Sequence, residues 1–82
     1  MSALSEWAER CYKEGIICYR LESANDTTGL YQTKSQYGNG VPCYMWTTPV
    51  YHVWIDDKNI TSTTSYKDAY ATYTNRIKEQ ML

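Results

Sequence analysis

Apolar spacing changes period twice along this chain, and that double change is the strongest limit on its fold. Leu4, Trp7, Ala8, Cys11 and Tyr12 recur at i, i+3, i+4, i+7 and i+8, one face of an α-helix. Glu6, Glu9, Arg10 and Lys13 take the opposite face. Ser2 is placed to cap the start of this helix, and Gly15 suits the left-handed residue that ends it. From Ile16 to Glu22 the period drops to two, with Ile17, Tyr19 and Leu21 on one face and Arg20 and Glu22 on the other. The helical period returns in Tyr66, Ala69, Tyr70, Tyr73, Ile77 and Met81. Ser65 followed by Asp68 gives a capping-box-like start, with Asp in place of the usual Glu, and Arg76 and Lys78 lie where the helix dipole favours positive charge.

The middle of the chain reads as strands. Ser23 to Gly29 is a turn segment, and Leu30 to Tyr37 is a strand polar on both faces, which suggests a sheet edge or tip. Gly38-Asn39-Gly40 marks another turn. Cys43 to Thr48 and Val50 to Ile55 carry the strongest strand patterns, with Pro49 forcing a bend between them because it has no N–H to donate. Asp56 to Asn59 is a tight turn, and Ile60 to Thr63 returns as a short strand. The expected fold is therefore α+β: an N-terminal helix, a three- to four-stranded antiparallel sheet and a C-terminal helix. Packing both helices on one sheet face is the economical arrangement, leaving the other face open. The 82 residues suffice for one domain spanning 1–82, with a thin core.

Charge narrows the function classes. Nine acidic residues offset eight basic ones, for a net charge of −1. No basic stripe exists to neutralise phosphates, so duplex nucleic acid is disfavoured, and no dense acidic face supports nucleic-acid mimicry. Three cysteines cannot complete a disulfide framework within one chain. The N-terminal residues lack a secretory pattern, and the charge-free stretch from Ser35 to Ile55 is broken by Gly, Pro and Thr, so no membrane segment is expected. A reducing cytoplasm is the expected setting, which makes the Asn59-Ile60-Thr61 sequon coincidental.

Chemistry-bearing groups are sparse. Cys11, Cys18, Cys43 and His52 lack the spacing of a zinc site, and Cys11 belongs to an apolar helix face. A Cys43–His52 dyad requires adjacent strands, while a lone strand histidine is ordinarily structural. Asp56 and Asp57 sit in a turn whose own hydrogen bonding favours Asp. Gly38-Asn39-Gly40 lacks the residues and context of a phosphate loop. The expectation is a non-enzyme with no metal and no cofactor.

Aromatic residues remain. Nine Tyr, three Trp and no Phe give large apolar bodies with polar tips, suited to half-buried or contact positions. Tyr44 and Trp46 share one strand face. In the next strand Tyr51, Val53 and Ile55 form the better core face, which leaves His52 and Trp54 outward. Tyr44, Trp46, His52 and Trp54 are thus the expected partner-binding residues, since interface hot spots favour Trp and Tyr. In size, autonomy and lack of catalytic groups the chain resembles the small accessory proteins that bacteriophages encode to modulate host or defence machinery. No motif carries that likeness, so it transfers no residues. The leading expectation is a protein-binding module, an inhibitor or adaptor acting on a larger protein. The alternative is single-stranded nucleic-acid binding by stacking. A second copy of the chain is a further candidate partner.

Overall fold

The computed structural model describes residues 2–37 and 45–80. Along them run α1 (Ala3–Lys13), β1 (Ile17–Asn25), β2 (Thr28–Lys34), β3 (Gln36–Tyr37), β4 (Met45–Trp46), β5 (Val50–Ile55), β6 (Lys58–Thr63) and α2 (Tyr66–Gln80). The caps are local and fall where expected. Ser2 accepts the Ser5 N–H at 3.0 Å, Gly15 takes φ +75°, and Ser65 accepts the Asp68 N–H at 3.2 Å.

Four strands form an antiparallel sheet in the order β1-β2-β5-β6, while β3 and β4 form a separate two-stranded ribbon. The polar stretch expected at an edge divides in two. Its first part, β2, is an interior strand whose residues Thr28 to Tyr31 are buried. Its last residues leave the sheet after Ser35 to make the ribbon. The chain then re-enters at Val50 after the irregular stretch 47–49, in keeping with the bend expected at Pro49. Thr28 is polar yet fully buried because its hydroxyl accepts the Asp56 N–H at 3.0 Å.

Each sheet face has its own apolar set. Leu30, Val53 and Ile55 pack with Ala69 and Tyr73 of α2, flanked by Tyr51, Ile60 and Ile77. Tyr31 and Trp54, one residue out of phase, point the other way and pack with Leu4, Trp7 and Cys18. The two helices therefore cover opposite faces, and the expectation that they share one is corrected. The reason is parity: with large apolar residues on both sides of β2 and β5, one helical layer leaves the other set in water.

The β5–β6 turn ties both helices to the sheet. Asp56 and Asp57 have φ of 50° and 68°, the paired left-handed conformation of a two-residue hairpin turn. Lys58 and Asn59, expected in that turn, already belong to β6. Asp57 accepts N–H groups from Ala3 at 2.8 Å and Leu4 at 2.9 Å, and Asp56 accepts from Gln80 Nε2 at 3.1 Å. Both outer strands are bulged, β1 at Arg20/Glu22 and Ser23/Asn25, and β6 opposite Val53/Trp54. Bulges interrupt the straight row of donors and acceptors that another strand would pair with.

Candidate interaction surface

The expected contact residues fall on two sides of the molecule. Tyr44 lies outside the described residues. Trp46 is exposed at 41%, whereas Trp54 is only 6% exposed. Trp54 lies beneath α1, with its ring 5.4 Å from that of Trp7. His52 is half-buried beside it, its ring 4.9 Å from Trp7. The outward direction of His52 and Trp54 relative to Val53 was legible from parity. Their exposure was not, because α1 comes down on that face.

His52 is held on both nitrogens. Nε2 lies 2.7 Å from Thr33 Oγ1, and Nδ1 lies 2.8 Å from Ser62 Oγ. Burial lowers its pKa below 6.5, so the ring is neutral near pH 7. Cys43 lies outside the described residues, and with it any Cys43–His52 pair. Burial pushes the Cys18 thiol up to about 11 and raises that of Cys11, so neither carries appreciable thiolate. Among the described residues no three His, Cys, Asp or Glu side chains gather as metal ligands. No helix there is long and apolar enough to cross a membrane.

Sheet register builds a different aromatic surface on the α2 side. Tyr19 of β1 stands opposite Gln32 of β2, which stands opposite Tyr51 of β5. One step along, Lys34 reaches over two rings, with its ammonium 5.5 Å from the Tyr19 centroid and 4.6 Å from that of Trp46. This cation–π pair brings the small ribbon against the main sheet. At the other end Tyr51 meets Tyr66 edge-on at 5.4 Å, and Tyr66 stacks on Tyr70 at 5.8 Å and 27°. A row of aromatic residues, interrupted by Gln32, thus runs from Trp46 across the sheet to the first turns of α2.

The band is open because α2 packs over Leu30, Val53 and Ile55 and leaves β1 bare. Tyr19 is 46% exposed, Tyr66 47% and Tyr70 42%. Trp46 is the one expected residue that the structure places in it. The helical period puts Tyr66 and Tyr70 on the packing face of α2, and alternation puts Tyr19 on the apolar face of its strand. Their signal was chemical: Tyr rather than Phe at positions with a core periodicity, in a chain with no Phe at all. The contacts among Tyr51, Tyr66 and Tyr70 restrict these three rings before any partner arrives, which lowers the ordering entropy of binding. Comparison with protein-family models, curated proteins and solved structures finds no match to this chain.

Proposed function

We propose that this chain is a protein-binding module whose contact surface is the band formed by Tyr19, Trp46, Tyr51, Tyr66 and Tyr70. The carrying observation is the half-exposed Tyr and Trp rings on one side of the molecule, Tyr51, Tyr66 and Tyr70 in mutual contact and Tyr19 and Trp46 joined through Lys34. Interface anchors are enriched in these residues because each offers a large apolar area with a polar tip and few rotatable bonds. Molecular shape supports the same reading. The Cα radius of gyration is 14.0 Å, against roughly 12 Å for a compact chain of this length. A slim module of this kind suits an inhibitor or adaptor that occludes part of a larger protein, the role in which small phage-encoded proteins act.

The experiment is affinity capture from native extract with wild type and with a Tyr19→Ala/Tyr70→Ala double variant. Both positions are exposed, so the variant keeps its core. A partner retained by wild type and lost by the variant supports the reading; identical recovery moves the interface elsewhere.

One observation favours a second reading. Lys34 places a cation directly against the Tyr19 and Trp46 rings, the pairing of charge and stacking surface used for single strands. Binding of a labelled oligonucleotide at low salt, weakened by Trp46→Ala, is its expected result. No binding at low salt removes it.

A further inference from the structure

On the other sheet face α1 leaves a groove. Trp7 stands over Tyr31, His52 and Trp54, so the helix lies toward the middle of the sheet. Between α1 and β1 runs a groove of about 860 Å³ that is broadly open to solvent. That volume lies within the range of small-molecule sites. Leu4, Ala8 and Tyr12, at i, i+4 and i+8, line one side, with Tyr12 84% exposed at its outer end, and Cys18 lines the other from β1. Burial keeps the Cys18 thiol protonated, so the middle of the groove is apolar.

One end is different. Arg20 and Tyr31 are cross-strand partners, and both line the groove. The one ion pair among the described residues is Lys13–Glu9, so the Arg20 guanidinium has no carboxylate partner there. Burial raises the Tyr31 pKa, outweighing the lowering effect of the Arg20 guanidinium hydrogen-bonded beside it, so the phenol stays protonated and the two groups sit together at this end. Asp26 also lines this end, but it is exposed in the β1–β2 turn, where a carboxylate stays hydrated.

We propose that this groove binds a free straight-chain monocarboxylate, with its acyl chain along the Leu4–Ala8–Tyr12 wall and its carboxylate on Arg20 and the Tyr31 hydroxyl. A guanidinium fork matches the two oxygens of a carboxylate, and the phenol adds a second donor. The helical wall from Leu4 to Tyr12 is about 12 Å long. An extended chain of roughly ten carbons spans that length at carbon–carbon bonds of about 1.5 Å. This inference is independent of the aromatic band, which lies on the opposite face.

The test is fluorescence titration with dansylamino-undecanoic acid, followed by displacement with decanoate, decan-1-ol and decyltrimethylammonium. Saturable binding displaced by decanoate alone is expected. Arg20→Met should weaken it about tenfold or more; Arg20 is exposed, so this variant keeps the fold. Ala8→Trp should fill the groove and abolish binding, with circular dichroism confirming that it is folded. Asp26→Asn should tighten binding by removing a nearby like charge. Absence of saturable binding to wild type overturns the proposal. So does equal displacement by the alcohol or the ammonium compound, or unchanged affinity in Arg20→Met.

Discussion

The carboxylate of Asp57 receives the backbone N–H of Leu4 at 2.9 Å across a sequence separation of 53 residues, so a hairpin turn late in the chain sets where the first helix begins. Its second oxygen takes the Ala3 N–H at 2.8 Å, and Ser2 caps Ser5. These contacts satisfy three donors at the helix start that have no partner within the helix. They also place negative charge at the positive end of the helix dipole.

The Asp57 contact predicts an acid-sensitive α1. The Leu4 N–H, and after it the Ala3 N–H, hold the Asp57 pKa below its ordinary 3.8. A depressed folded-state pKa means that the stabilisation is present above the unfolded value and is lost as pH falls through the folded value. Thermal melts of wild type should therefore lose stability as pH drops below about 4. Asp57→Asn tolerates the left-handed backbone but lacks the charge. It should melt lower at neutral pH and show a flatter acid profile. Equal slopes in the two proteins would rule this contact out as the cause.

His52 should give a second, separate pH effect. Its ring faces Trp7, Thr33 and Ser62, with no charged group in contact among the described residues, and burial lowers its pKa below 6.5. The folded state thus prefers the neutral ring. Its contribution is complete above pH 6.5 and declines as pH falls toward the folded pKa. Imidazole titration by NMR should report a value below 6.5 in the native protein. A His52→Gln variant should lose the stability step in that window; persistence of the step would assign it to another group.

Trp54 and Trp46 should behave as core and surface. Trp54 packs with Leu4, Tyr31 and Trp7, and its Nε1 has no hydrogen-bond acceptor among the described residues. Trp54→Ala should cost about 3–5 kcal/mol in denaturant melts. Trp54→Phe should cost far less, because it also removes a buried donor without a partner. Trp46→Ala should change stability by roughly 0.5 kcal/mol or less, as expected of an exposed position. Comparable losses at the two tryptophans would contradict the burial of Trp54 and the exposure of Trp46.

Gly29 is predicted to accept no side chain. A Cβ there would stand 2.8 Å from the Glu22 carbonyl oxygen and 2.9 Å from Tyr31 Cε2. The Tyr31 ring lies over this bare backbone, and the Glu22 carbonyl is backbone of the paired strand β1. Gly29→Ala should destabilise the protein by about 1–3 kcal/mol through overpacking. A neutral or stabilising result would show that Tyr31 can swing away.

Thiol labelling supplies a further check. In a Cys43→Ser variant, Cys11 and Cys18 should react with a disulfide reagent at pH 8 far more slowly when native than when unfolded, since burial raises both pKa values. Rapid native labelling would mean that the α1–β1 contact opens readily.

Local physics made much of this fold legible in the residues themselves. The Leu4–Tyr12 stripe, Ser2 and Gly15 define α1 because helix period and end chemistry act within a few residues. The same holds for Ser65, Asp68 and the Ala69/Tyr73/Ile77 row of α2. Alternation also placed Val53 and Trp54 on opposite sides of their strand. Tertiary structure decided what lies over each side. Nothing within a few residues of Trp54 announces Trp7, and nothing near Thr28 announces the Asp56 N–H that lets it be buried in an interior strand. For the same reason Tyr66 and Tyr70 follow a core period yet remain in solvent, because α2 is placed by Val53 and Ile55 rather than by its own first turn. Periodicity specifies which side chains point together, whereas exposure is a property of the element that arrives on top. That depends on contacts between residues far apart in the chain.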